Sequence, residues 1–158
     1  MGADRRRLYE KSRCRVWRGV AGDYDRRAGD RHGRALIDHL TFGVSNIARS
    51  CDFYDATFEP LGIRRLMRFR EAAEVAGYGD DRPWFWIAEQ DATRGKLHIA
   101  IRADSRAQVD AFHTAALATG GRDHGAPGLR PDYHPDYYGA FVLDPDGHNI
   151  EAVCHRPE

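Results

Sequence analysis

Two stretches of equal length decide the fold: "DHLTFGVSNIARSCDFYDATFEPLG" (38–62) and "LHIAIRADSRAQVDAFHTAALATGG" (97–121). They align without a gap, and the alignment places His39 on His98 and Phe53 on Phe112. Each stretch begins with alternating apolar and polar residues, which predict a strand. An amphipathic helix follows, with Ser45 or Asp104 as its expected N-cap, and a glycine ends it. The repeat therefore indicates two copies of one supersecondary unit.

Strand patterns follow each predicted helix. The first copy continues with strands over 63–70, 74–79 and 83–89. The second continues with a weak strand near 122–125, a long loop over 124–137, and strands over 137–144 and 148–153. The unit is thus β-α-β-β-β, used twice. We predict an α+β fold with module one over 36–90 and module two over 95–156, in which the modules form a cup-shaped mixed sheet with the helices on its outer face.

The charge is unevenly distributed along the chain. Residues 1–34 contain 11 Arg or Lys and 5 Asp or Glu, whereas residues 35–158 contain 13 and 19. A basic arm for nucleic acid is one interpretation of 1–34, and a poorly ordered extension is the other. No basic or aromatic patch continues into 35–158, so we favour the extension and expect no nucleic-acid partner.

The composition narrows the class of protein further. With 42% apolar residues in 158, the chain suits one globular domain. No apolar run approaches the roughly 18–20 residues that cross a bilayer, so no membrane partner is expected. Three cysteines without CxxC spacing predict neither a disulfide framework nor a thiolate zinc site, and a reducing cytoplasm is the expected compartment.

The alternation of the strands places three candidate ligands on one side of the sheet. If Leu40, Ile99 and Ile150 point to the helices, then His39, His98 and Glu151 all point away from them. Imidazole and carboxylate bind Zn, Ni, Fe, Mn or Co, and two His plus one carboxylate leave positions open for water or substrate. The pattern therefore predicts a reactive site for one divalent metal ion.

The repeat, "DHLTFGV", "LHIAIR" and the ending "YYGAFVLDPDGHNIEAV" resemble the vicinal oxygen chelate superfamily over about residues 36–156. This superfamily includes glyoxalase I, bleomycin-resistance proteins, fosfomycin-resistance enzymes and extradiol dioxygenases. The resemblance implies one divalent metal (Zn, Ni, Fe or Mn) held by His39, His98 and Glu151. It also implies a small-molecule substrate, and a homodimer is compatible with it. Glyoxalase I has a fourth ligand, a Glu in the last strand of module one, where this chain has an aromatic residue, most simply Trp86.

Several further polar and aromatic residues are candidates for roles in the same site. Glu151, His134 and Tyr138 are candidate acid–base groups, and Trp86, Arg102 and Tyr137 are candidate substrate contacts. The alternatives are a surface turn packed by its own aromatics for 124–137 and a solvated strand end for Arg102. His148, in the turn before the last strand, is expected to be exposed.

The favoured function is a small glyoxalase-like metalloenzyme that chelates an oxygen-rich substrate through two oxygens. Isomerase or lyase chemistry, including epoxide opening, and ring cleavage of the dioxygenase type are left open. The alternative is a metal-free binding protein of the bleomycin-resistance type, and a weaker one is an inactive metal site kept as a scaffold.

Overall fold

The computed structural model describes residues 37–70 and 72–157, so the prediction for residues 1–34 lies outside the described part of the chain. Module one consists of β1 (Leu40–Val44), α1 (Ile47–Phe58), a 3₁₀ turn (Glu59–Leu61), β2 (Arg64–Arg70), β3 (Glu74–Gly79) and β4 (Pro83–Glu89). Module two consists of β5 (His98–Arg102), α2 (Arg106–Ala118), β6 (Arg122–Leu129), β7 (Tyr138–Leu143) and β8 (Asn149–Cys154).

Each module forms its own four-stranded sheet, with strand orders β1-β4-β3-β2 and β5-β8-β7-β6. The first strand pairs in parallel with the last, and the other pairs are antiparallel, so both sheets are mixed. The α+β class and the repeated βαβββ unit are confirmed. None of the described helices is long and apolar enough to cross a membrane.

One face of each sheet, called the helix face below, packs against the helix of its module. In module two, Val109, Phe112 and Ala116 of α2 are fully buried, and so are Val142 and other apolar residues of β7 and β8. The other side of each sheet is called the open face. Because side chains alternate along a strand, residues that neighbour these core positions lie on the open face.

The helix N-caps lie one residue later than predicted. Asn46 Oδ1 accepts a hydrogen bond from Arg49 N at 2.9 Å, and Ser105 Oγ accepts one from Gln108 N at 3.3 Å. Ser45 instead binds Asp146 of module two through its backbone N–H and its hydroxyl. In α1 the hydroxyl of Ser45 is engaged with Asp146, and the adjacent Asn46 caps the helix.

The predicted long loop is shorter than expected, because β6 extends to Leu129. The strand pairs with β7 through irregular register at Gly125 and again before Gly128. It is an edge strand, which tolerates the proline at position 127 that suggested a loop. The remaining connection, 130–137, is closed by a hydrogen bond from Arg130 N to Tyr137 O at 2.7 Å.

The modules contact each other through α1 and α2 and through the turn before β8. Within the described residues, no strand of one sheet pairs with a strand of the other. The turn contributes His148, which is 2% exposed, so the prediction of an exposed histidine is wrong. Its Nδ1 lies 2.8 Å from Asp144 Oδ2 and its Nε2 lies 2.9 Å from Thr93 O. Tyr54 of α1 donates to the same carboxylate at 2.7 Å.

Both ring nitrogens of His148 face acceptors, so both donate and the ring is an imidazolium. Burial alone would lower the pKa of His148, but the hydrogen bond to Asp144 and the charges of Asp144 and Asp146 raise it overall. Burial alone would raise the pKa of Asp144, but hydrogen bonds from His148 and Tyr54 lower it overall. A buried ion pair within the turn of module two is therefore joined to module one by the hydroxyl of Tyr54.

This ion pair predicts a stability maximum in mildly acidic solution. His148 makes its full contribution to the free energy of unfolding below its unfolded pKa of about 6.5. This contribution is lost as the pH rises through the higher pKa that His148 has in the folded protein. Asp144 makes its full contribution above its unfolded pKa of about 3.9. This contribution is lost as the pH falls through the lower pKa that Asp144 has in the folded protein. Urea unfolding across this pH range measures both limbs. His148→Gln should abolish the loss of stability on the alkaline side, and an unchanged slope in that variant would contradict the assignment.

Candidate metal and substrate site

The centre of the site is a carboxylate–imidazole pair on the open face of module two. Glu151 of β8 is 1% exposed, and its Oε2 lies 3.1 Å from Nε2 of His98. Parallel pairing sets this contact, because His98 pairs with Asn149 and Ala100 pairs with Glu151. Two ligand atoms bound to one ion at about 2.0–2.2 Å lie about 3.0–3.4 Å apart, so the pair fits a shared divalent metal.

The side chain of Asn149 contacts the ring of His98. Its Nδ2 lies 2.7 Å from His98 Nδ1, while its buried Oδ1 has no hydrogen-bond partner in the described part of the chain. Rotation of this amide by half a turn would let Oδ1 accept a hydrogen bond from Nδ1–H and would leave the Nε2 lone pair for a metal. The unpartnered oxygen is therefore a second observation that fits metal binding.

The other carboxylate oxygen of Glu151, Oε1, is contacted by residues of β7 and of the segment just before it. Tyr137 donates its hydroxyl to Oε1 at 2.5 Å. Burial, together with the hydrogen bond to Glu151, raises the pKa of Tyr137 well above its ordinary value. The hydroxyl therefore remains protonated and acts as a donor at neutral pH. Gly139 makes room for this contact, since a Cβ there would lie 2.9 Å from Oε1.

His39 is not part of this cluster. Its Nδ1 lies 2.7 Å from Asp38 Oδ1, an arrangement in which a carboxylate orients an imidazole. Among residues 37–70 and 72–157, no group of three His, Cys, Asp or Glu side chains is placed to hold a metal ion. The expectation that His39, His98 and Glu151 converge is therefore not met within one chain. The physical reason is that the modules join through helices, so the first strands of the two sheets are not paired.

The open face of module one carries an aromatic residue at the position that Glu151 takes in module two. Thr41, two residues after His39, pairs with Trp86. In the same way Ala100, two residues after His98, pairs with Glu151. The Trp86 ring lies across Gly77, where a Cβ would come within 2.7 Å of it. The buried Nε1 of Trp86 has no hydrogen-bond partner in the described ranges. The equivalence inferred from sequence thus agrees with the register.

The remaining candidates lie in different surroundings. Tyr138 lies on the helix face, where its hydroxyl donates to Asp110 of α2 at 2.8 Å and Arg106 lies over its ring. Tyr138 therefore lies on the opposite side of the sheet from Glu151 and is not placed for the predicted acid–base role beside it. His134 is exposed in 130–137, and its Nδ1 accepts from Asp136 N at 3.1 Å. Arg102 is exposed at the end of β5 on the open face.

Sequence reasoning missed two residues of the site. Asn149 was placed on the correct face, but its contact with His98 follows only from the parallel register. Gly139 carries no chemical group, and its role becomes visible only from the approach of Oε1. The contact between Asn149 and His98 could have been indicated by one signal, the alternation of side chains in β5 and β8 taken together.

The comparisons with known proteins agree with this architecture. Residues 36–152 match the model of the Glyoxalase/Bleomycin resistance protein/Dioxygenase superfamily. Together with the two βαβββ modules, this match shows that the chain belongs to that superfamily.

Individual relatives differ in how closely they match. Metallothiol transferase FosB from Shouchella clausii is 29% identical over 129 residues, which cover 73% of this chain and 77% of that protein. The crystal structure of a glyoxalase/bleomycin resistance protein from Albidiferax ferrireducens is 33% identical, with a TM-score of 0.65, and covers 78% of this chain and all of that one. A glyoxalase I variant from Zea mays is similar in fold, with 20% identity and a TM-score of 0.56 over 74% of this chain and 46% of its own.

The packing of Trp86 on Gly77 generates a test of the open face of module one. Gly77→Ala should cost about 1–3 kcal/mol of unfolding free energy, because the new methyl group displaces the indole. In a Trp86→Leu background the same change should cost much less, so a double-mutant cycle by urea unfolding should show coupling. Equal costs in both backgrounds would show that the ring does not lie there.

Proposed function

We propose that the protein is a divalent-metal enzyme of its superfamily that acts on a small oxygen-rich molecule. The observation that carries this proposal is the 3.1 Å separation of His98 Nε2 and Glu151 Oε2 on a buried carboxylate. A carboxylate at 1% exposure is unfavourable without charged or hydrogen-bonding partners. Zn, Ni, Fe or Mn all suit imidazole and carboxylate ligands.

We propose further that His39 of a second copy of the chain completes the ligand set. His98 and Glu151 give two ligands, and a catalytic site of this type needs about three from the protein. The third candidate lies in module one, whose open face does not share a cluster with module two in the same chain. A homodimer that pairs module one of one copy with module two of the other would unite all three residues.

Each half would then contribute a different kind of surface. Module two supplies His98, Glu151 and the exposed guanidinium of Arg102, which suits an anionic group of a substrate. Module one supplies His39 and the apolar surface of Trp86, which packs against Phe69. A bound metal ion would supply Lewis-acid stabilisation of negative charge that develops on a substrate oxygen.

The candidate reactions are isomerisation, epoxide opening and ring cleavage. The relative named metallothiol transferase makes transfer of a thiol to an electrophilic small molecule the first activity to assay. His134, exposed in the segment before Tyr137, is the candidate acid–base group in addition to Glu151.

Two observations favour a second function, a metal-free binding protein of the bleomycin-resistance type. Within the described residues no three ligands converge, and the open face of module one is apolar and aromatic around Trp86 and Phe69. Such a protein would bind its ligand equally well after treatment with a chelator. The metal enzyme would lose both the ion and the activity.

A complementation experiment tests the proposed site. The wild type should bind about one Co²⁺ or Zn²⁺ per chain in a competition titration, and His39→Ala and Glu151→Ala should each lose most of that binding. Equal amounts of these two variants, unfolded and refolded together, should regain binding in mixed dimers. There, one of the two sites has intact His39 from one copy and intact His98 and Glu151 from the other.

The matched control is a mixture of His98→Ala with Glu151→Ala. Both changes fall in the same half of the site, so no mixed dimer contains an intact set and no binding should return. Recovery in neither mixture, with a metal-binding wild type, would place all ligands in one chain and contradict the two-copy site. No metal binding by the wild type would reject the metal enzyme.

A further inference from the structure

The carboxylate of Glu151 has its two oxygens in different environments. Oε1 accepts the hydroxyl of Tyr137 at 2.5 Å, and Oε2 faces His98 Nε2 at 3.1 Å. Carboxylates bind metals through one oxygen or through both. An oxygen that already accepts a short hydrogen bond from a phenol is a poorer second ligand, because its lone-pair density is directed to that donor.

Tyr137 is itself held firmly in place. Its backbone closes the 130–137 segment, with its carbonyl accepting from Arg130 N and its N–H donating to His134 O at 3.0 Å. Its ring makes edge contacts with Tyr133 and His155 at centroid distances of 5.2 and 5.0 Å. The position of the hydroxyl is therefore supported by these backbone hydrogen bonds and ring contacts as well as by its bond to Glu151.

The strand beside Glu151 is shaped for the same contact. Gly139 has no positive φ that would require glycine, so its backbone conformation does not explain the residue. A Cβ at this position would lie 2.9 Å from Glu151 Oε1 and 3.1 Å from the Tyr137 ring. Glycine thus leaves the space in which the phenol and the carboxylate meet.

We propose that Tyr137 is a positioning residue that occupies Oε1 of Glu151, so that the carboxylate offers only Oε2 to the metal beside His98. This inference rests on the proposed metal site, and it assigns to Tyr137 a role different from substrate contact. A carboxylate that binds through one oxygen occupies one coordination position of the metal, whereas a bidentate carboxylate occupies two. The site would therefore keep one more position open to water or substrate.

The test compares Tyr137→Phe with the matched control Tyr133→Phe, using Co²⁺ as the probe. Tyr137→Phe keeps the ring and removes only the hydroxyl, so Co²⁺ affinity should fall about 10–100-fold, the usual effect of losing a group that orients a ligand. The visible absorption bands of bound Co²⁺ should also change, because the freed Oε1 can join the coordination. Tyr133 is 68% exposed and its hydroxyl has no part in the contact, so its variant should keep the affinity and the spectrum of the wild type.

Gly139→Ala provides a second route to the same contact if Tyr137→Phe does not fold. The added methyl group should separate the phenol from the carboxylate and reduce Co²⁺ affinity with Tyr137 intact. A wild type that binds Co²⁺, with either variant within twofold of its affinity and unchanged in spectrum, would overturn the positioning role alone. A wild type that binds no Co²⁺ would overturn the proposed metal site on which this inference rests.

Discussion

The burial of the Glu151 carboxylate is the constraint on which the site depends. A carboxylate at 1% exposure must be hydrogen-bonded or paired, since otherwise its transfer from water is strongly unfavourable. The structure satisfies it from two directions, with Tyr137 on one oxygen and His98 on the other. Parallel pairing of β5 and β8 brings His98 beside it, and Gly139 of β7 leaves space for the phenol.

The two modules share a backbone plan but have different open faces. At equivalent positions module one carries His39 and Trp86, and module two carries His98 and Glu151. Apolar aromatic surface and charged surface are thus divided between the two halves. Such a division suits a site in which module one of one copy meets module two of another. Within one chain the modules are joined instead by their helices and by the hydrogen bond from Tyr54 to Asp144.

The sequence predicted what depends on periodicity. The alternation of β5 and β8 placed His98 and Glu151 on the same face, and the repeat predicted both helices and the mixed sheets. The place of Trp86 at the position of a fourth ligand came instead from the resemblance to glyoxalase I, and the register of β1 with β4 agrees with it.

Features that depend on tertiary partners could not be predicted in this way. His148 sits in a polar turn that is typical of the surface, yet it is buried, with Asp144 and Thr93 at its two ring nitrogens. Tyr137 and Tyr138 are adjacent, and only the phase of β7 decides which one faces Glu151. The register irregularities of β6 likewise depend on pairing with β7, which turn residues in the sequence do not reveal.

The most direct test of the central claim is anomalous diffraction from crystals of the protein loaded with a divalent metal. The account predicts one ion per chain bound by His98 and Glu151 of one copy and by His39 of another. An ion bound at His98 and Glu151 with His39 of the same chain, or an ion bound elsewhere with these residues unliganded, would contradict it.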